Sequence, residues 1–359
     1  MAIRLQKIKN FMNEQKVDAL LLKSKTMKRY IDTVTGGGCK VLFIRDKGYL
    51  ILDGRYITEA KEKEKDLELC LLDIGQSYLD VVNDLLIKYK CNSLGIEMDQ
   101  ISIVEYEKIK KLNVQICLLN EAISTIRIQK DDDEIRLLKE ACEITDDIYK
   151  KVVNKLYIGM SEYEISALLQ YYAISSGAQQ MSFDTIIATG ERTAMPHGRP
   201  TARTVKAHEP ILMDFGIQYK NYQSDMTRVC FIGEPTQAIG DIYNTVLKAN
   251  LAGISAIKEG EIAKNVDLAA RNVIEKVGYG DYFTHGLGHG IGVDNSNELP
   301  ILNSKSNIVL RENMVMSCEP GIYVPGLGGI RIEDDVWIHN GVGEPLNRTS
   351  KDLIILEEK

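Results

Sequence analysis

Carboxylates and imidazoles set among glycines and apolar residues are the groups of this chain best suited to chemistry. Between Ile211 and Arg228, Asp214 and Asp225 stand on either side of a short polar interruption, Gln218 to Asn221, with apolar residues flanking it. That pattern predicts an antiparallel hairpin, although no Asn-Gly pair fixes its turn type. With the turn centred on Tyr219 and Lys220, Asp214 lies directly opposite Asp225, where Cβ atoms sit roughly 4.5–5.5 Å apart and like charges repel. Two exposed turn-proximal aspartates would satisfy the pattern; so would a divalent cation held between them. Hard or borderline cations take carboxylate oxygen and imidazole nitrogen, and two further places offer these. In His285-Gly-Leu-Gly-His289-Gly-Ile-Gly, glycines flank both imidazoles and let the backbone approach a buried site closely. In Ser317-Cys-Glu319-Pro-Gly and Gly329-Ile-Arg-Ile-Glu333-Asp-Asp, the glutamates are symmetric about Gly326, which predicts two antiparallel strands with the carboxylates facing each other. Each motif alone is weak, since a histidine among glycines is more often a loop residue. Together, four carboxylates and one histidine could hold two metal ions in bridged fashion.

The order Asp214, Asp225, His289, Glu319, Glu333, with spacings of 11, 64, 30 and 14, resembles that of the pita-bread metallopeptidases. That family includes aminopeptidase P, prolidase and methionine aminopeptidase. Further matches are Ser182-Phe-Asp-Thr-Ile-Ile-Ala-Thr-Gly, Met195-Pro-His197-Gly and the run from Pro320 to Asp335. The amino-terminal third resembles the creatinase-type domain of the proline-specific branch, with Ile51-Leu-Asp-Gly-Arg-Tyr56 the best local match. Methionine aminopeptidases resemble only the carboxy-terminal part.

This resemblance implies a ligand set. Asp214 and Asp225 would bind one metal, His289 and Glu319 would complete the second, and Asp225 and Glu333 would bridge them. Two metals about 3.5–4 Å apart can hold one hydroxide at neutral pH and polarise a carbonyl. Glu319 would carry the proton from that water towards the leaving nitrogen. Among the remaining catalytic and substrate-binding groups, His197 would contact substrate and His285 would line the pocket for the residue after the scissile bond. Arg331, two residues before Glu333 and so on the same strand face, would orient that carboxylate. Mn²⁺ best fits a site rich in carboxylate with one imidazole and no thiolate; Co²⁺, Fe²⁺ and Zn²⁺ also suit these donors.

In one place the chain departs from the family. Where the family carries a histidine before Leu-Pro or Ala-Pro, this sequence reads Val293-Asp-Asn-Ser-Asn297-Glu-Leu-Pro. Asn297 takes the histidine's place among the substrate-binding groups, with one extra residue in the loop; it can donate a hydrogen bond but carries no charge. The implied activity is metal-dependent hydrolysis of the Xaa-Pro bond at the amino terminus of dipeptides or short peptides. That bond is a tertiary amide without an N–H and requires a dedicated pocket. The alternative is a catalytically weakened pita-bread protein serving as a peptide-binding or interaction module.

Composition bounds both readings. With 359 residues, 44% hydrophobic and 26% charged, the chain is long enough for two domains of ordinary size. A net charge of -7 argues against nucleic acid as a partner. The seven cysteines are scattered without paired metal spacing and read as reduced core thiols. Met1-Ala-Ile-Arg is followed by no long apolar run, and no stretch approaches bilayer-spanning length, so a cytoplasmic protein without membrane attachment is expected. The family resemblance adds a homodimer.

The elements that must position the site follow from periodicity. Over residues 1–125, short β-like runs such as Val17 to Leu22, Val41 to Ile44 and Tyr49 to Leu52 alternate with helical stretches, which reads as an α/β domain. Residues 126–359 open with Asp131-Asp-Asp-Glu134, an acidic helix start, followed by Ile135, Leu138, Ala141 and Cys142 at helical spacing. Ser161 with Glu164 forms a capping-box pattern for a second helix, and Asp241 to Lys258 and Val266 to Val277 are two more helical stretches. Helices preceding hairpins in two similar halves suit the α+β pita-bread architecture of the catalytic domain.

Overall fold

Short apolar runs punctuated by turns become a single mixed sheet in the amino-terminal part of the computed structural model. The structure describes residues 2–294 and 298–358, so Asn297 lies outside the described residues. The chain divides between Arg127 and Ile128 into two compact units. In the first, β1 (Ala19–Leu22), β2 (Lys40–Ile44), β3 (Lys47–Leu52), β4 (Glu68–Leu71), β5 (Ser93–Ile96) and β6 (Gln115–Leu118) are ordered β4-β3-β2-β1-β5-β6. β1 is buried throughout, which is why it reads as an unbroken apolar run rather than an alternating one. The helix Tyr78–Lys88 opens on a Ser77–Asp80 capping box and packs Leu79, Val82, Leu85 and Leu86 into a core shared with Leu21, Leu42 and Leu94.

The second unit contains β7 (Gln180–Met181), β8 (Ile186–Thr189), β9 (Ile211–Phe215), β10 (Ile217–Tyr219), β11 (Tyr222–Gln223) and β12 (Met226–Ile232). After two helices follow β13 (Val315–Cys318), β14 (Gly321–Val324), β15 (Gly328–Arg331), β16 (Asp334–His339), β17 (Val342–Pro345) and β18 (Ile354–Leu356). The helix Asp132–Val153 is capped by Asp131, whose carboxylate accepts from Glu134 N at 2.8 Å while Glu134 Oε2 accepts from Asp131 N at 2.9 Å. The Ser161–Glu164 box starts the helix Glu162–Ser175 in the same way. These two helices pack Ile148, Val152, Ile165 and Leu169 against Met213, Phe215, Met226 and Cys230 of the first hairpin. The helices Gln237–Ala256 and Ala263–Glu275 back the second, packing Ile242, Val246, Ala249 and Ala270 with Ile322, Ile330 and Val336. Each half is thus a helix pair behind a hairpin.

The registers of the two hairpins compare differently with expectation. Gly321 pairs with Arg331 and Cys318 with Asp334, so the second hairpin is centred on Gly326, with Glu319 and Glu333 in the gap between two ladder segments. In the first, Asp214 pairs with Thr227 and not with Asp225. The turn falls one residue later than expected, on Lys220 and Asn221, with Tyr219 opposite Tyr222. Both turn residues adopt positive φ, 46° and 74°. A two-residue loop of that type matches the twist of the flanking strands without requiring Asn-Gly. The aspartates are therefore diagonal neighbours. All seven cysteines are free thiols, five of them buried. No described helix is long and apolar enough to cross a membrane.

Candidate metal centre

Both hairpins deliver their acids to one cavity of about 600 Å³ within the second unit. Asp214, Asp225, His289, Glu319 and Glu333 line it, together with His197, His285 and Arg331. Glu319 and Glu333 sit where the ladder is interrupted. There the backbone bonds elsewhere: Glu319 N donates to Leu287 O at 2.8 Å and Glu333 N to Thr227 O at 3.2 Å. The segment carrying His289 runs along β13, with Ser317 N donating to His289 O at 2.7 Å and Ile291 N to Val315 O at 3.0 Å. Gly288 makes that approach feasible, since a Cβ there would lie 2.1 Å from Ser317 O.

Asp225, His289 and Glu333 each offer one ligand atom, all within 4.8 Å of one another. His289 Nδ1 lies 3.1 Å from Gly290 O, a bond that keeps the proton on Nδ1 and leaves Nε2 as a lone-pair donor. Nε2 is 3.5 Å from Glu319 Oε1 and 3.7 Å from Asp225 Oδ2. Ser317 Oγ accepts from His289 N at 3.0 Å and donates to Glu319 Oε1 at 3.2 Å, fixing the two residues relative to each other.

Arg331 departs from expectation. Its Nη2 donates to Asp214 Oδ2, and its Nε to Thr227 Oγ1 at 3.0 Å. Thr227 in turn donates to Glu333 Oε2 at 2.6 Å, so that hydroxyl links the guanidinium to Glu333, whose charge also acts on Arg331. The β9–β12 register explains the difference, because it sets Thr227 opposite Asp214 between the two acids. Arg331 Nη1 also donates to Tyr323 OH at 2.8 Å, and this hydroxyl lies 2.9 Å from His285 Nε2. Thr227 and Tyr323 thus join the expected residues, and only the register would have singled out Thr227.

Electrostatics argue for a cation at this centre. Burial pushes Asp225 well above the usual carboxylate range, and Glu333 and Asp214 push it further. Burial also raises Glu333, helped by Glu319 and Asp214. Asp214 is raised by burial against the pull of Arg331. One guanidinium cannot offset four clustered carboxylates, and buried charge must be compensated or neutralised. Asp214 Oδ1 is buried without a hydrogen-bond partner among the described residues. An oxygen-rich donor set with one imidazole and an orphaned carboxylate oxygen fits divalent metal ions. Burial moves His285 the other way, lowering its pKa and favouring the neutral ring.

Two supporting groups escape the spacing argument. Asp335 Oδ2 accepts from Asp225 N at 2.9 Å and from Cys142 Sγ at 3.2 Å, and burial raises Asp335 to about 8. Glu162, fully buried, accepts from Thr189 N (2.9 Å) and Oγ1 (3.0 Å), from Thr201 N (2.9 Å) and Oγ1 (2.7 Å), and from Arg192 Nη1. It ties together both ends of the segment that carries His197. In sequence Glu162 looks like an ordinary acid in a first helical turn; nothing local marks it as a hub.

Comparison with known proteins is consistent with this geometry. Residues 136–340 match the model for metallopeptidase family M24, and residues 4–129 match the creatinase/prolidase N-terminal domain. The chain is 34% identical to a Xaa-Pro dipeptidase of Pyrococcus furiosus over 98% of its own length and 99% of the relative's. Among solved structures, a Xaa-Pro dipeptidase from Bacillus anthracis superposes with a TM-score of 0.93 at 34% identity, covering 98% of this chain and 99% of that one. An X-Pro aminopeptidase from Thermotoga maritima gives 0.89 at 32% identity, covering 95% and 98%.

Proposed function

Given that this chain belongs to metallopeptidase family M24 and is a metal-dependent peptidase acting on peptides, we propose that it releases the residue preceding proline from dipeptides and short peptides. Support comes from relatives named for Xaa-Pro substrates and from a cavity in which four carboxylates meet one imidazole. The observation that carries the reading is the buried Asp214 Oδ1, left open while Arg331 holds the other oxygen of the same carboxylate. In this reading residues 126–359 form the catalytic domain and residues 1–125 an accessory one, in a cytoplasmic homodimer.

Asp214 and Asp225 would hold one divalent ion, His289 and Glu319 would complete the site of a second, and Asp225 and Glu333 would serve both, with Mn²⁺ the best match. When bound, the pair supplies Lewis acidity that activates water and polarises a carbonyl oxygen. Glu319 accepts the proton of the attacking water and returns it to the leaving proline nitrogen, steadied by Ser317 at Oε1. Arg331 keeps Asp214 turned so that Oδ1 stays available. Neutral His285, braced between Gly286 O at 2.8 Å and Tyr323 OH, forms a wall for the proline ring. His197 binds the substrate from the loop that Glu162 anchors.

Incubating Mn²⁺-loaded protein with Ala-Pro, Ala-Pro-Ala and Ala-Ala tests the proposal by measuring released alanine. Release from the first two and little from Ala-Ala is expected. Equal release from all three, or none with metal bound, would overturn it.

A further inference from the structure

The catalytic cavity shares Asp184 and Arg199 with a second cavity of about 420 Å³. Tyr163, Ala167 and Gln170, from the helix Glu162–Ser175, line this outer space along with Thr185. Its polar wall is set by a chain of bonds: Gln170 Nε2 to Ser166 Oγ at 3.1 Å, and Ser166 Oγ to Thr185 Oγ1 at 2.7 Å. The hydroxyls satisfy one another, so this wall is formed before any ligand arrives. The Gln170 carboxamide oxygen remains as an acceptor.

The boundary between the cavities is an ion pair open to solvent. Arg199 Nη1 donates to Asp184 O at 2.6 Å and Nη2 lies 3.3 Å from Asp184 Oδ2. The two side chains are 57% and 86% exposed. A pair so exposed is held by little free energy and can exchange partners readily. A guanidinium released from Asp184 would meet a peptide carbonyl or a terminal carboxylate at the mouth of the catalytic cavity. The helix beside it leaves Tyr163 59% exposed, an aromatic surface for a peptide to lie on.

We propose that the outer cavity is a binding subsite for the part of an oligopeptide that follows the proline, and that the chain of such a substrate passes over the Arg199–Asp184 pair. The inference rests on the proline-peptidase reading of the inner cavity and adds that peptides longer than dipeptides are preferred. It assigns Arg199, Tyr163, Ala167 and Gln170 to substrate length selection.

Two measurements on the Mn²⁺-loaded protein test it. The first is kcat/KM for Ala-Pro-Ala-Ala against Ala-Pro; the second is calorimetric binding of Pro-Ala-Ala against free proline, which needs no turnover. The parent should favour the longer member of each pair by about tenfold or more. Ala167→Trp, which fills the cavity, and Tyr163→Ala, which removes its exposed wall, should abolish both preferences while keeping metal content and circular dichroism. A parent with no length preference in binding, or a preference that survives in both variants, overturns the subsite. Should the parent cleave neither peptide and still bind Pro-Ala-Ala with a variant-sensitive preference, the subsite stands and the proline-peptidase reading falls.

Discussion

Three consecutive acids, Glu333, Asp334 and Asp335, show how much a single residue's surroundings decide. Glu333 faces the carboxylate cluster and is pushed up by it, whereas burial of Asp334 is overcome by Arg228 and Lys351, at 2.6 and 2.8 Å, which hold its pKa below the usual range. Asp335 serves the backbone of Asp225. If Asp225 and Glu333 are shared by both ions, Asp225→Ala and Glu333→Ala should lose metal from both positions and Asp214→Ala mainly from one. Elemental analysis checks this, and full loading of the first two variants would refute the sharing. Glu319→Gln keeps an oxygen donor but not a base, so turnover should fall roughly 10²-fold or more with metal largely retained. Comparable losses in turnover and metal would reduce Glu319 to a ligand. That Asp214, Asp225, Glu319 and Glu333 line one cavity with His289 was legible in the sequence, because their types and spacing single them out as candidate donors. Their partners were not: Arg331 lies two residues from Glu333, yet its direct carboxylate partner is Asp214.

At the scale of elements, legibility depended on whether a local rule fixes the answer. Symmetry about Gly326 correctly placed Glu319 and Glu333 across from each other, because the ladder on both sides keeps one register. The first hairpin lacked such a rule; a turn at Lys220 and Asn221 shifts the pairing by two positions, which preserves the face of every side chain but changes its neighbour. The Ser161–Glu164 capping box and the acidic run at Asp131 marked two helix starts, whereas the helices read from Asp241 and Val266 begin earlier, at Gln237 and Ala263, where neither signal is present. The role of Glu162 was not legible, since its five partners come from Thr189, Arg192 and Thr201, far along the chain. Glu162→Gln should loosen the His197 segment, raising KM by about tenfold with metal content unchanged, because lost bonds to a buried acceptor cost roughly 1–3 kcal/mol. An unchanged KM would mean that the segment is held without it. Gly288→Ala should be harsher, destabilising the protein by about 1–3 kcal/mol and lowering metal occupancy, as β13 and the His289 segment are forced apart. Thermal melts with elemental analysis check this.

For the whole molecule, the acid cluster makes stability a function of both pH and metal. Asp225, Glu333 and Asp335 hold protons more tightly folded than unfolded, where an aspartate titrates near about 3.9. Their contribution is fully present below that value and is lost as pH rises through the folded range, which for Asp335 reaches about 8. Metal-free protein should therefore melt progressively lower across that window than the loaded form, with a gap that widens with pH; a constant gap would contradict it. The centre also contains its own reporter. Cys142 is wholly buried, burial and Asp335 keep its thiol far from ionising, and it touches the carboxylate that braces Asp225. Alkylating reagents attack thiolates, so Cys142 should be modified only when the centre transiently opens. Its labelling rate, read by mass spectrometry, becomes a clock for breathing at the heart of the protein, and divalent metal should slow that clock.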